Sequence, residues 1–209
     1  MLIVGDIHGK YDAYRKLLRR YRGQPSVQIG DFGIGFPGDG PLPDFPEDAR
    51  FLRGNHDNPA AAYGSRHYLG DFGAVRIDGY SVFYLSGARS SDRDLRVEGK
   101  DWWPGEELTL DDLDEAVRLY EATKPEIMLS HDGPDVATSE IMRTKLVHKG
   151  RLPSRTAQAL NAMYDAHPPE RWIFGHWHTR WRLKIGRTDF RCLPELGWCE
   201  VRAKVAKGR

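Results

Sequence analysis

The residues best equipped for chemistry in this chain are histidines, aspartates and one asparagine, set in short glycine-bearing strings. His176 and His178 stand one residue apart in "GHWHT", directly after the apolar run Trp172-Ile173-Phe174. In extended backbone, residues i and i+2 project to the same side. A strand end followed by glycine therefore presents both imidazoles to one point, which suits a metal ion and does not suit a packed core. The same residue types recur upstream: Asp6 and His8 in "GDIHG", Asp31 in "GDFG", Asn55 and His56 in "RGNHD", and His131 in "SHDGP". Each follows an apolar run, and ligands of open α/β sheets gather at the carboxyl ends of the strands. These clusters can thus converge although they span most of the chain.

The number of candidates says what kind of site they would make. Three protein ligands and a water suffice for one catalytic zinc, whereas Asp6, His8, Asp31, Asn55, His131, His176 and His178 make seven. Two divalent ions roughly 3.5 to 4 Å apart use such a set and form a clamp for phosphoryl displacement. Asp31, the one carboxylate standing alone between the first and third clusters, is the candidate bridge. Nitrogen and oxygen ligands without thiolate suit Mn, Fe, Co, Ni or Zn, and manganese is the first choice. A hydroxide bridging the ions would be the nucleophile, because two cations lower the pKa of bound water.

Among the elements that would hold these residues, Leu2-Ile3-Val4 reads as a buried strand, followed by a helix over 11–21 with Tyr14, Leu17, Leu18 and Tyr21 at helical spacing. Val27-Gln28-Ile29, Phe51-Leu52 and Ile127-Met128-Leu129 read as further short strands. Residues 33–48 are dense in Gly and Pro and read as loop. Residues 74–77 and 81–85, joined through Asp78-Gly79, predict an antiparallel hairpin with a primed turn. Thr109 opens a helix to about Thr123, with Asp111 and Asp112 in its first turn. A helix runs from Ser154 to about His167, and residues 181–185 and 190–193 make a second hairpin around Gly186-Arg187. Strands alternating with helices, plus two hairpins, predict an α/β fold, a layered α/β/β/α sandwich with two mixed sheets and the metal site at strand C-terminal ends.

Composition narrows the partners. The 209 residues fit one domain on a prior of roughly 150 residues each. Lys plus Arg number 31 against 30 for Asp plus Glu, so bulk charge gives no support to nucleic acid or a membrane surface as partner, leaving only a local patch for the former. No stretch approaches the roughly 20 apolar residues of a membrane span, and the N-terminal apolar run is too short for a signal peptide. The expectation is a cytoplasmic protein; the oligomeric state is not legible. Cys192 and Cys199 lack a C-x-x-C spacing and read as unpaired thiols.

Taken in order, "GDIHG", "GD", "GNHD", the lone histidine of "SHDGP" and "GHWH", with about 25 residues separating the first three, resemble the calcineurin-like metallophosphoesterase superfamily over residues 6–178. The resemblance implies that Asp6, His8 and His178 hold one ion, that Asn55, His131 and His176 hold the other, and that Asp31 is shared. It implies further that His56 is not a ligand but faces the phosphate and protonates the leaving oxygen, oriented by Asp57. A carboxylate partner would restore proton-carrying ability to a histidine that two cations bias toward its neutral form. The implied activity is hydrolysis of a phosphomonoester or phosphodiester, with a small phosphate-ester substrate; the alternative is a non-catalytic interaction scaffold on the same fold, which missing ligands would favour and none is missing.

The chain departs from the protein Ser/Thr phosphatase branch, whose second motif continues "GDxxDRG"; here Asp31 is followed by Phe32-Gly33-Ile34-Gly35-Phe36, without that arginine. Arg53, Arg89 and Arg93 are the substitutes nearest by position. The insert 86–104, carrying Trp102-Trp103, reads as a loop that caps the site, the tryptophans serving as packing. His67, His148 and His167 read as ordinary polar residues.

Overall fold

Alternation of side chains along short strands builds three buried layers in the computed structural model of this chain, which describes residues 1–145 and 153–203. One sheet contains β1 (Leu2–Val4), β2 (Ser26–Ile29) and β3 (Ala49–Leu52) in parallel, with β10 (Trp198–Glu200) antiparallel beside β1. The other contains β4 (Phe72–Ile77), β5 (Tyr80–Leu85), β6 (Ile127–Ser130), β7 (Arg171–Phe174), β8 (Trp181–Ile185) and β9 (Thr188–Cys192), in the order β4-β5-β6-β7-β9-β8. Its centre, β5 to β7 and β9, is parallel; the β4–β5 and β8–β9 hairpins are antiparallel.

Between the sheets lie Ile3, Val27, Ile29 and Leu52 from one side and Val82, Ile127, Leu129 and Ile173 from the other. Their chain neighbours point outward. Leu2, Val4 and Phe51 meet Tyr14 and Leu18 of α1 (Tyr11–Arg20), and Phe83, Met128, Trp172 and Phe174 meet Leu113 and Tyr120 of α3 (Leu110–Thr123) and Leu160 of α5 (Arg155–Ala166). The arrangement is the expected α/β/β/α sandwich of two mixed sheets. Each fully buried large apolar side chain stabilises it by about 1.5–3 kcal/mol.

Local chemistry matches these elements. Thr109 caps α3 by accepting from Asp112 N, and Ser154 caps α5 by accepting from Ala157 N. Asp78 and Gly79 both have positive φ, 49° and 82°, as a type I′ turn requires. Residues 33–48 carry no helix or strand. Among the α-helices and strands of the described residues, three were not anticipated. Asn58 caps the five-residue α2 (Pro59–Tyr63), α4 (Asp135–Lys145) follows His131, and β10 pairs with β1 although it lies far along the chain. A helix of five residues and a strand of three leave no periodicity to read. No described helix is long and apolar enough to cross a membrane. His148 lies outside the described residues.

Candidate metal centre

Each of these donor strings begins where a strand of a parallel run ends, and the backbone turns sharply at several of them. His8, Asp31, His176 and His178 all have φ between 45° and 64°, a left-handed conformation that non-glycine residues adopt rarely and at a cost of about 1–3 kcal/mol. Hydrogen bonds between strings hold these turns: Ile7 N and His8 N donate to Asp31 O, and Gly175 N to His131 O, at 2.9–3.1 Å. Glycines between them leave room. A Cβ on Gly54 would overlap Asp31 Oδ1, and one on Gly175 would overlap Asp6 Oδ1.

The result is two adjoining groups of donors. Asp6, His8, Asp31 and His178 form one, and Asp31, His131 and His176 form the other, with ligand atoms in each group no more than 4.8 Å apart. His178 Nε2 lies 3.0 Å from Asp6 Oδ2 and 3.2 Å from His8 Nε2. His131 Nε2 lies 3.3 Å from Asp31 Oδ1 and 3.2 Å from Asn55 Oδ1. Asp31 belongs to both groups, and Asn55 stands at the second.

The donors fit divalent cations on two counts. Asp31 Oδ2 is buried and accepts no hydrogen bond, and an orphaned carboxylate oxygen is costly unless a cation reaches it. His131 Nδ1 lies 2.9 Å from Ile29 O, so donating its proton there leaves the Nε2 lone pair facing the cluster, as a ligating histidine requires. Electrostatics point the same way. Burial alone would push the Asp31 carboxyl up, but the imidazoles of His131, His56 and His8 outweigh it and hold it well below the usual carboxylate range. Burial would likewise push His131 down; the facing Asp31 and Asp6 carboxylates raise it to about 10 instead. A cation would take the place of that proton.

Around these donors, the structure gives several residues singled out from the sequence partners other than those expected. Asp57 does not touch the His56 ring. Its carboxylate accepts from the backbone amides of Phe32, Gly33, Ile34 and Gly54, at 2.6–3.2 Å, and so ties the Asp31 loop to the Asn55 loop. His56 faces Arg96 instead: Nη2 stands 3.1 Å from His56 Nε2, while the Arg96 guanidinium is gripped by both oxygens of Asp92. His56 N donates to Asp31 Oδ1, which holds the ring beside the shared carboxylate, Nε2 being 4.0 Å from Oδ2. Burial, reinforced by Arg96 and opposed by Asp31, lowers the His56 pKa.

None of the three arginines expected to meet substrate is brought to His56. Arg53 is 1% exposed, with Nε on Asp71 and Nη1 on the carbonyls of Gly105 and Glu106. Burial hid this: a fork of donors reads as a substrate clamp until its acceptors are seen. Arg89 donates to Pro153 O, and the Arg93 guanidinium lies over the Trp102 ring at 4.3 Å. Trp102 and Trp103 are buried as packing residues. His67 and His167 have backbone carbonyl partners, Ala49 O and Pro125 O. Arg96, at the end of the charged stretch that carries Arg89 and Arg93, is the guanidinium brought to His56, and Asp92 four residues before it holds it in place.

Comparison with known proteins agrees with this geometry. The sequence profile described as calcineurin-like phosphoesterase matches residues 1–180. Among solved structures, the chain is similar to a phosphopantetheinyl hydrolase from Mycobacterium tuberculosis, with a TM-score of 0.52, 10% identity, and coverage of 93% of this chain and 89% of that one. It is also similar to a putative 5'-nucleotidase from Staphylococcus aureus, with a TM-score of 0.50, 11% identity, and coverage of 94% of this chain and 48% of that one. At these identities the likeness is one of fold. No curated protein sequence matches.

Proposed function

This chain belongs to the calcineurin-like phosphoesterase family, and from that premise we propose that it is a binuclear hydrolase of a small phosphomonoester or phosphodiester. The observation that carries the reading is the Asp31 carboxylate, common to both donor groups, with one buried oxygen that accepts no hydrogen bond. Asp6, His8 and His178 would hold one ion, Asn55, His131 and His176 the other, with Asp31 between them and manganese the first candidate. When bound, two such cations supply charge neutralisation and an activated water as nucleophile.

The chain's own groups do the rest. With a cation bound, His131 would present its Nε2 lone pair to the cluster, because Nδ1 donates its hydrogen bond to Ile29 O. Asp6 is held by the backbone amide of His176, 3.2 Å from each carboxylate oxygen, which fixes the carboxylate plane. His56 and Arg96, adjoining the shared carboxylate, are the groups to meet the phosphoryl and leaving oxygens. A substrate phosphoryl group displacing Arg96 from Nε2 would free that atom to take up a proton from solvent, and the imidazolium so formed would give it to the leaving oxygen.

The test is turnover of nitrophenyl phosphate and bis-nitrophenyl phosphate side by side, using metal-stripped protein with Mn²⁺ restored. Activity should track occupancy of two ions per chain, and Asp31→Asn should disturb both ions. An Asp31→Asn protein that keeps two ions and full activity would sink the reading, as would a loaded parent inert to both esters.

A further inference from the structure

An asparagine that ligates a cation does so through Oδ1, yet its amide can equally turn Nδ2 toward the ion, where two N–H groups would repel it. Something must fix the flip. Asn55 Nδ2 lies 3.0 Å from Ser90 Oγ, and Ser90 Oγ lies 2.5 Å from Glu106 Oε2. All three residues are buried. A hydroxyl can donate or accept, so Ser90 by itself would not decide which end of the amide faces it. The Glu106 carboxylate decides, because it takes the single Ser90 proton and leaves only lone pairs for Asn55 Nδ2. Oδ1 is then turned to the other side, where His131 Nε2 lies 3.2 Å away.

The segment carrying Glu106 is itself clamped. Arg53 Nη1 donates to Gly105 O at 2.8 Å and to Glu106 O at 3.2 Å, and Ala88 N donates to the same Glu106 carbonyl. Gly87, with φ +86°, leaves no room for a Cβ against that carbonyl, 2.5 Å away. Arg53, Glu106, Ser90 and Asn55 form one continuous chain from the frame to the metal centre.

We infer that Ser90 and Glu106 are positioning residues that orient the Asn55 amide toward the second ion. The inference rests on the binuclear reading above. Its particular consequence is asymmetric: loss of the relay loosens the ion at Asn55, His131 and His176, and leaves the ion at Asp6, His8 and His178 in place. Removing such outer partners typically costs about 10- to 100-fold in metal affinity.

Mn²⁺ titration of metal-stripped parent, Ser90→Ala, Glu106→Leu and Glu106→Gln, followed by electron paramagnetic resonance, separates the possibilities. The parent should bind two ions and give the spectrum of a spin-coupled pair. Ser90→Ala and Glu106→Leu should bind the first ion as the parent does and the second about 10- to 100-fold more weakly, with a mononuclear signal at two equivalents. Glu106→Gln, whose amide can turn either a donor or an acceptor toward Ser90, keeps the side-chain volume but no longer commits the Ser90 proton, so it should weaken the second ion as well while leaving the melting temperature close to the parent's. Ser90→Ala removes one oxygen only, so it keeps the test alive if Glu106→Leu fails to fold. A folded Ser90→Ala that binds both ions with parental affinity overturns the inference while leaving the binuclear reading intact. Equal weakening of both ions with a lowered melting temperature overturns it too, in favour of a merely structural role. A parent that binds fewer than two ions overturns both.

Discussion

Arg96 Nη2 stands 3.1 Å from His56 Nε2, and a guanidinium only donates, so the imidazole accepts at that atom and carries its proton on Nδ1. His56 in this arrangement cannot give a proton from Nε2 until Arg96 gives way. His56→Ala should therefore retain both metals yet lose about 10²- to 10⁴-fold in rate, the contribution of a positioned general acid. The loss should be larger for alkyl esters, whose alkoxide leaving groups need the proton, than for nitrophenyl esters. Arg96→Gln should chiefly raise KM and weaken inhibition by inorganic phosphate. Plots of log kcat/KM against leaving-group pKa decide the His56 role: parallel lines for variant and parent would refute the acid.

Asp57 should behave as a frame residue. Its carboxylate satisfies four buried amides of two ligand loops, and net hydrogen bonds to a charged acceptor are worth about 1.5–3 kcal/mol each, not additively. Asp57→Ala should lower the unfolding free energy by about 2–4 kcal/mol and lose metal together with activity. Urea denaturation and elemental analysis measure the two effects. Unchanged stability with a selective loss of rate would instead return Asp57 to a partnership with His56.

Gly54 tests how tightly the donors are packed. A methyl group there would overlap Asp31 Oδ1 and lie 2.6 Å from His131 Nε2, so Gly54→Ala should remove bound metal while the fold persists. Retention of two ions per chain by this variant would show that the strands can spread to admit it.

His131 gives the pH dependence of the metal-free protein. Its pKa is raised to about 10 in the folded chain, against about 6.5 when unfolded. The folded state thus binds this proton more tightly, and its stabilisation is full below pH 6.5 and disappears as pH rises through about 10. The urea midpoint of stripped protein should fall between pH 7 and 10, and His131→Asn should flatten that fall. Metal must displace the proton, so Mn²⁺ binding at pH 8 should release it. Calorimetry in buffers of different ionisation heat counts it, and equal counts for parent and His131→Asn would contradict the assignment.

The short strands that carry the donor strings, β1, β2, β3, β6 and β7, and the residues at their ends were legible in the chain, whereas β10 was not. Strings such as "GDIHG" and "GHWHT" were legible because a ligand must follow a strand and must have glycine beside it, and both are local requirements. The Asp78-Gly79 hairpin and the helix starts at Thr109 and Ser154 were legible for the same reason, since turn and helix-start chemistry acts within a few residues. Tertiary structure alone decided which partner each polar group found. Asp57 sits next to His56 in sequence, yet neighbours in an irregular loop need not face each other, and its carboxylate turns to the amides around Asp31. Arg53 borders the Asn55 string but is drawn inward by Asp71 and the 105–106 carbonyls, while Arg96, 40 residues beyond His56, is brought to it by a folded insert. Ser90 and Glu106 carried no signal at all, because a hydrogen-bond relay has no period and no fixed spacing. A buried polar group takes whichever partner the packed layers bring within about 3 Å, and only the assembled sandwich fixes that.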